Sequence, residues 1–247
     1  MRIVRLSRSL LHQGPLILVN QAHAHQPEAP HPLTAINSHY PEILLERQAA
    51  RLLSACITEI HGGGAIVPVS GWRSHAEQQR LWEDTLRTNG EAFTRRYVAL
   101  PGCSEHETGL AIDLGKAAPE IDFIRPDFPY SGLCQTFRRA ALRYGFIERY
   151  PREKERITGI SHEPWHFRYV GAPHAQLMHE NGLCLEEYTE FIRQKERRCA
   201  LGNGSTAHIF CIPCTGEETV CELPGCCCQI SGNNVNGFVV TAWEVGT

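Results

Sequence analysis

The strongest constraint on the fold is a pair of short segments, far apart in the chain, that together carry two histidines and two acidic residues. The first runs Ser104-Glu-His-Glu-Thr-Gly-Leu-Ala-Ile-Asp113, and the second is Glu163-Pro-Trp-His166. Two imidazoles and one carboxylate are a common ligand set for catalytic zinc, which keeps a water in its fourth position and lowers the pKa of that water toward ~7. We therefore predict that His106, Asp113 and His166 bind zinc and that the fold brings the two segments together.

Glu163 is the candidate general base, because it stands three residues before a predicted ligand and a carboxylate must take the proton of the water. Pro164 disfavours a helical pairing of Glu163 with His166. In a flat strand, residues three apart point to opposite faces. The Glu163 side chain therefore approaches the metal only if it lies on a turn or at a twisted end of a strand. The alternative is an acidic residue on the surface.

Arg73 follows a predicted strand over residues 65–69, in the stretch Val69-Ser-Gly-Trp-Arg73-Ser74. This position, between a strand and the N-terminus of a helix, is typical of active-site residues. A fixed cation there would stabilise the oxyanion of a tetrahedral intermediate, an effect of roughly 2.7–4 kcal/mol per donor in studied enzymes. The alternative is a simple surface ion pair of Arg73.

Hydrophobic periodicity predicts an α+β chain, with helices first and short strands after them. Ser74 and Glu77 have the spacing of a capping box at the start of one helix. The predicted helices are 45–60, 74–87, 133–144, 173–180 and 185–198. The predicted strands are 15–19, 65–69, 110–114, 146–147 and 165–170, and the predicted loops are 21–36 and 101–109. Beyond about Leu201, β-like runs alternate with turns and predict a small β appendage.

Composition excludes several classes of protein. Among 247 residues, 24 are basic and 27 are acidic, a formal net charge of −3, whereas nucleic-acid-binding proteins usually carry a basic excess. The odd number of cysteines, 11, does not indicate a disulfide framework in a chain this long. No apolar run reaches the ~18–20 residues of a membrane span, and polar residues such as Arg5 and Arg8 interrupt the early one. We expect a cytoplasmic protein that binds no nucleic acid and does not insert into membranes.

The metal motifs resemble those of the zinc D-Ala-D-Ala peptidases of vancomycin resistance, which comprise the VanX, VanY and VanXY types. The resemblance spans residues 15–198 and is greatest to the VanXY type. Further matching stretches are Ser70-Gly-Trp-Arg-Ser74 with Gln78, and Trp165-His-Phe-Arg-Tyr-Val-Gly171 with His174 and Leu185-Glu-Glu-Tyr188.

The resemblance implies a LAS-type zinc peptidase fold, with a small, mainly antiparallel sheet flanked by helices. It implies that Glu163 is the general base and that Arg73 polarises the scissile carbonyl, with zinc held by His106, Asp113 and His166. Gln78 and Ser104 match positions that help to hold the C-terminal end of the substrate. We expect a catalytic domain over residues 1–200 and a small cysteine-rich β appendage over 201–247.

The function implied by the resemblance is hydrolysis of a small peptide. The substrate would be the D-Ala-D-Ala dipeptide, the terminal D-Ala of the UDP-MurNAc-pentapeptide precursor, or both, which would contribute to glycopeptide resistance. One alternative is a cell-wall endopeptidase of the L-Ala-D-Glu type. Another is a non-catalytic zinc-containing binding module of the same fold. Because a purely structural zinc needs neither Glu163 nor Arg73, their presence favours catalysis.

Two other groups of residues could bind a second metal. In the tail, Cys211 and Cys214 are followed by Cys221 and Cys226-Cys-Cys228, which indicates either a structural zinc site or cysteines packed as small apolar residues in strands. The second half is not a regular CxxC pair, so β packing is favoured. His23, His25 and His31 lie in a predicted loop without carboxylates at ligand spacing, and we expect no metal there.

Overall fold

The computed structural model of the chain describes residues 1–26, 32–201 and 204–244, and within them the predicted α+β class is confirmed. The strands are β1 (Arg2–Ser7), β2 (Leu33–Ala35), β3 (Leu44–Glu46), β4 (Ile66–Ser70), β5 (Ala111–Lys116), β6 (Phe146–Tyr150), β7 (Glu163–Tyr169), β8 (Arg197–Ala200), β9 (Thr206–Pro213), β10 (Glu218–Leu223), β11 (Cys227–Gly232) and β12 (Gly237–Glu244). The helices are α1 (Arg47–Glu59), α2 (His75–Asn89), α3 (Glu91–Tyr97), α4 (Gly132–Ala141), α5 (Glu155–Thr158), α6 (Ala172–Glu180) and α7 (Leu185–Gln194).

The central sheet has the antiparallel strand order β4-β5-β7-β6, as the resemblance implied. In β5 and β7, Ile112 and Phe167 alternate with Asp113 and His166, so the two pairs point to opposite faces of the sheet. Ile112 and Phe167 belong to the apolar core, together with residues of α1 and α4. Asp113 and His166 are direct cross-strand partners between β5 and β7, and they point away from that core. The sheet thus separates a face packed against α1 and α4 from the opposite face, here called the polar face, which carries Asp113 and His166.

A second core joins the central sheet to the C-terminal region. It contains residues of α6 and α7 and of the tail sheet, whose antiparallel strand order is β11-β12-β9-β8. The N-terminal strand β1 pairs with β10, from Arg2 opposite Leu223 to Ser7 opposite Glu218. The predicted domain boundary at residue 200 falls directly after β8, which is hydrogen-bonded to β9. The division into a catalytic domain and an appendage remains a prediction.

Several local predictions are confirmed. Helix α2 begins with the capping box, in which Ser74 Oγ accepts from the Glu77 amide and the Glu77 carboxylate accepts from the Ser74 amide. The predicted helix 133–144 corresponds to α4 and a 3₁₀ turn that ends at Gly145, whose φ of 83° lies in the left-handed region. The predicted loop 101–109 contains the short 3₁₀ turn Glu105–Thr108.

The predicted strand 15–19 is wrong, because no ladder forms there, although Leu16 and Ile17 are buried. The backbone is satisfied by other groups instead: the Leu16 amide donates to Ser231 Oγ, and the Arg168 guanidinium donates to the carbonyls of Pro15 and Ile17. The apolar run 15–19 therefore predicted burial correctly but predicted the secondary structure incorrectly.

The predicted helix 185–198 is too long, since α7 ends at Gln194 and Arg197 and Arg198 belong to β8. These residues pair with Ile209 and His208 of β9, a contact that helical periodicity cannot reveal. The predicted loop 21–36 includes β2, and its residues 27–31, with His31, lie outside the described residues.

All eleven cysteines lie within the described residues and are free thiols. Across the described parts of the chain, the tail cysteines form no group of three whose ligand atoms converge. Cys211, Cys214 and Cys221 pack against apolar clusters, as the β-packing alternative expects, whereas Cys227 is exposed. No helix in the described ranges is both long and apolar enough to span a bilayer.

Candidate active site

The predicted metal ligands meet on the polar face of the central sheet. Asp113 and His166 come from neighbouring strands, and His106 comes from the 3₁₀ turn that precedes β5. His106 Nε2 is 3.1 Å from Asp113 Oδ2, and His166 Nδ1 is 3.0 Å from Asp113 Oδ1. One ligand atom from each of the three residues lies within 4.8 Å of the others. The geometry therefore suits a single cation held by two imidazoles and a carboxylate.

The other nitrogen of each imidazole faces a fixed acceptor. His106 Nδ1 is 2.7 Å from the carbonyl oxygen of Gly71, a hydrogen bond that turns Nε2 toward Asp113. Gly71 has no room for a side chain, since a Cβ there would collide with the carbonyl oxygen of Leu44. His166 Nε2 faces Glu105 Oε2 at 3.6 Å. Acceptors in these positions are typical of metal-binding histidines, because they orient the ring and fix its tautomer.

The residues present fit a zinc ion. Asp113 is buried, and both of its oxygens face imidazole nitrogens; where those nitrogens carry no proton, the carboxylate is satisfied only by a cation. The neighbouring histidines hold the pKa of Asp113 well below its usual range, against the opposing effect of burial. Burial lowers the pKa of His166, but the hydrogen bond and charge of Asp113 outweigh it and raise that pKa to about 9. The site therefore stabilises a positive charge, which a zinc ion would supply in place of the proton. Two histidines and one carboxylate with room for a further ligand are typical of catalytic rather than structural zinc.

Glu163 is the first residue of β7, at a place where the strand is irregular. The register of β6 against β7 shifts between Glu148 and Tyr150, and Tyr150 pairs with Glu163. Such an irregularity breaks the strict alternation of faces, which is how residues three apart reach one site. Glu163 Oε2 lies 3.6 Å from His166 Nδ1. Burial raises the pKa of the Glu163 carboxyl to about 8.

Arg73 lies between β4 and α2, and neighbours hold its guanidinium in place. Nη1 donates to Gln78 Oε1 at 2.7 Å, and Nη2 donates to Ser70 Oγ at 2.7 Å. The Gln78 amide group is itself anchored, since Nε2 donates to the carbonyl oxygen of Ala99 at 2.7 Å. Burial lowers the pKa of Arg73, although nearby carboxylates led by Asp113 oppose the shift. The Arg73 guanidinium therefore has a fixed orientation.

All seven sequence-predicted site residues line one cavity. They are Arg73, Gln78, Ser104, His106, Asp113, Glu163 and His166. The sequence did not point to other lining residues, such as Tyr97 and Tyr150. Phe123 and Ile124 belong to the segment between β5 and α4, so this segment forms part of the cavity wall.

Sequence reasoning missed Glu105, which lies beside the site and is fully buried. Its Oε1 is 2.8 Å from Arg149 Nε and 2.8 Å from Arg168 Nη1. Burial alone would raise the pKa of Glu105, but the two guanidinium groups hold it well below its usual range. The sequence signal that could have found it is an arginine inside each of two strand-like runs, Phe146–Tyr150 and Glu163–Tyr169. A buried arginine requires an acidic partner.

Comparisons with known proteins agree with this geometry. Residues 42–172 match the family model described as VanY: D-alanyl-D-alanine carboxypeptidase. A bifunctional D-Ala-D-Ala dipeptidase and carboxypeptidase, VanXYC from Enterococcus gallinarum, is 43% identical over 188 residues, which are 75% of this chain and 98% of that protein.

Two solved structures are also similar. The D,D-dipeptidase VanXYg, in complex with a D-Ala-D-Ala phosphinate analog, has a TM-score of 0.96 and 48% identity, covering 98% of this chain and 99% of that one. A mutant of the D,D-pentapeptidase VanY from a VanB-type resistance cassette, in complex with Zn(II), has a TM-score of 0.59 and 30% identity, covering 71% of this chain and 98% of that one.

Proposed function

The chain belongs to the VanY family of D-alanyl-D-alanine carboxypeptidases, and on that premise we propose that it is a zinc-dependent D,D-peptidase. It hydrolyses the D-Ala-D-Ala dipeptide, removes the terminal D-Ala from UDP-MurNAc-pentapeptide precursors, or does both, and so contributes to vancomycin resistance. Its fold is that of the VanX and VanY zinc peptidases. A cytoplasmic location is part of the proposal and agrees with action on a UDP-linked precursor.

One observation carries the proposal: a buried carboxylate that is not needed as a ligand stands next to the three candidate ligands. Glu163 Oε2 is 3.6 Å from His166 Nδ1, in the cavity that Arg73 also lines. A structural metal site requires neither a spare carboxylate nor a fixed cation. Their presence favours a hydrolytic enzyme over a binding module.

Three side chains would hold the zinc ion, through His106 Nε2, an oxygen of Asp113 and His166 Nδ1. When bound, zinc polarises a carbonyl oxygen and lowers the pKa of water. Glu163 would accept a proton from the attacking water at its carboxylate and pass it to the leaving amine. Burial raises the pKa of this carboxyl, and the charge of a bound zinc ion would oppose that rise, which favours the ionised form that accepts the proton.

Arg73 would stabilise the negative charge that develops on the scissile carbonyl oxygen. Because Ser70 and Gln78 already hold the guanidinium, it needs little reorganisation during the reaction. Gln78 and Ser104 are both buried in the cavity wall, and we assign them to the C-terminal end of the substrate. In this structure Gln78 acts on Arg73 directly, so its contribution includes positioning that cation.

The test is release of D-alanine by the purified protein from D-Ala-D-Ala and, separately, from a UDP-muramyl pentapeptide that ends in D-Ala-D-Ala. We expect release to require zinc and to fall about 10²–10⁴-fold in Glu163→Gln. Glu153→Gln is the matched control, because it removes the same charge from an exposed residue outside the cavity.

The pattern of substrates decides between the possible activities. Release from both substrates indicates a cavity that is open beyond the scissile bond, and release from the dipeptide alone indicates a closed one. If the zinc-loaded protein cuts neither substrate, the proposed function is wrong. If it cuts them and Glu163→Gln retains full activity, the assignment of Glu163 as general base is wrong. Cleavage of intact cell wall instead would favour the endopeptidase alternative.

A further inference from the structure

A buried ionic cluster lies directly behind His166. The Glu105 carboxylate is enclosed by the guanidinium groups of Arg149 and Arg168, and all three side chains are inaccessible to solvent. Arg149 extends from β6 and Arg168 from β7, so the two strands of the central sheet hold the carboxylate between them. Burial of three charged groups is costly, and it is tolerated only where the geometry is good.

The two arginines are anchored on their far sides as well. Arg149 donates two hydrogen bonds to Glu186 of α7, at 2.9 and 2.7 Å. Arg168 donates to the carbonyl oxygens of Pro15 and Ile17, at 3.0 and 2.9 Å. Neither guanidinium is free to move, so the Glu105 carboxylate between them has a fixed position.

Only one oxygen of Glu105 is used by the arginines. Oε1 contacts both of them, whereas Oε2 faces His166 Nε2 at 3.6 Å. Glu105 Oε2 and His166 Nε2 are both buried without a hydrogen-bond partner. A buried polar atom without a partner costs ~1–3 kcal/mol, and here two such atoms, an acceptor and a ring nitrogen, face each other across a short gap.

We propose that Glu105 is a positioning residue of the metal centre, which accepts a hydrogen bond from His166 Nε2–H when His166 Nδ1 binds zinc. A metal on Nδ1 requires the ring proton to lie on Nε2, and this is the nitrogen that Glu105 faces. The carboxylate would fix the ring orientation and make Nδ1 a stronger ligand. The inference rests on the proposed function, since it assumes the zinc site at His166.

The first experiment measures zinc affinity by competition with a chromogenic chelator. In Glu105→Gln, the amide oxygen would turn to the arginines and the amide NH₂ would then face His166 Nε2–H, donor against donor. We expect zinc to bind roughly 10–100-fold more weakly, the range found for such acceptors of metal-binding histidines. Glu186→Gln is the matched control, because it disturbs the same arginine cluster without touching His166.

We expect Glu186→Gln to bind zinc within about threefold of the native protein, even if its thermal stability falls as much as that of Glu105→Gln. Unchanged zinc affinity in Glu105→Gln would overturn the proposal. So would an equal loss of affinity in both variants, because the effect would then belong to the cluster as a whole. A native protein that binds no zinc would refute the proposed function instead, and this measurement is made first.

A second experiment needs no variant and therefore does not depend on whether Glu105→Gln folds. In the zinc-loaded native protein, ¹H–¹⁵N correlations of the histidine rings would be compared for His166 Nε2–H and His106 Nδ1–H. The latter faces a neutral carbonyl oxygen, that of Gly71, and serves as the internal reference. Because charged acceptors make shorter and stronger hydrogen bonds, we expect the His166 proton to resonate further downfield. A His166 resonance at or upfield of the His106 resonance would contradict the proposal.

Discussion

The stability of the protein should depend on pH through His174, a residue of the second core. His174 lies in α6, where Nδ1 is 2.7 Å from the Tyr188 hydroxyl of α7 and Nε2 is 2.9 Å from the Thr241 hydroxyl of β12. Burial lowers the pKa of His174 from 6.5 to about 3. The ring therefore joins two helices and the tail sheet in its neutral form.

The sign of the effect follows from which state binds the proton. As pH falls below about 6.5, the unfolded chain protonates His174 and the folded chain does not, so the free energy of unfolding falls. From these two pKa values, the loss between pH 7.5 and pH 5 is about 2 kcal/mol, with a limiting slope of about 1.4 kcal/mol per pH unit. A neutral side chain that makes similar hydrogen bonds should lack this contribution.

The variant that tests this is His174→Gln, whose amide can donate to one hydroxyl and accept from the other without titrating. The assay is urea unfolding at pH 7.5, 6.0 and 5.0, with a chelator present throughout so that metal release contributes to neither protein. We expect the variant to lose about 2 kcal/mol less than the native protein between the two extremes of pH. Equal losses in the two proteins would refute the assignment of a buried neutral imidazole.

Two further predictions concern catalysis and helix stability. Arg73→Lys keeps the charge but cannot bind both Ser70 and Gln78 in the same geometry. We therefore expect kcat to fall roughly 10²–10³-fold in steady-state kinetics, with a smaller change in KM. An unchanged kcat would contradict the role of the guanidinium. Ser74→Ala removes the hydroxyl that caps α2 and should lower the free energy of unfolding, measured by urea denaturation, by about 1 kcal/mol. A loss below about 0.3 kcal/mol would show that the capping box contributes little.

The site was more predictable from sequence than the fold around it. Ligand chemistry and spacing identified residues such as His106, Asp113 and His166, because few residue types bind zinc and each must lie near the others. The capping box of α2 was predictable for a similar reason, since its hydrogen bonds join residues only three apart. Information of this kind is carried by side-chain chemistry and local spacing.

The failures involve partners that are distant in sequence. The run 15–19 is held by Arg168 and Ser231, and β8 exists only because β9 lies beside it. Glu105 was missed because its partners, Arg149 and Arg168, come from two other strands. The position of Glu163 depends on an irregular strand register, which periodicity does not encode. Each of these contacts depends on tertiary structure, which no local pattern contains.

The pairing of β1 with β10 has a consequence for how the chain folds during synthesis. Residues 2–7 leave the ribosome long before residues 218–223. At a synthesis rate of roughly 5–20 residues per second, the delay is about 10–40 s. During this interval the β1 segment has no native hydrogen-bonding partner, and unpaired strands of this kind can associate with other chains. Its two arginines, Arg2 and Arg5, would repel like-charged copies of the same segment and so oppose such association until β10 emerges.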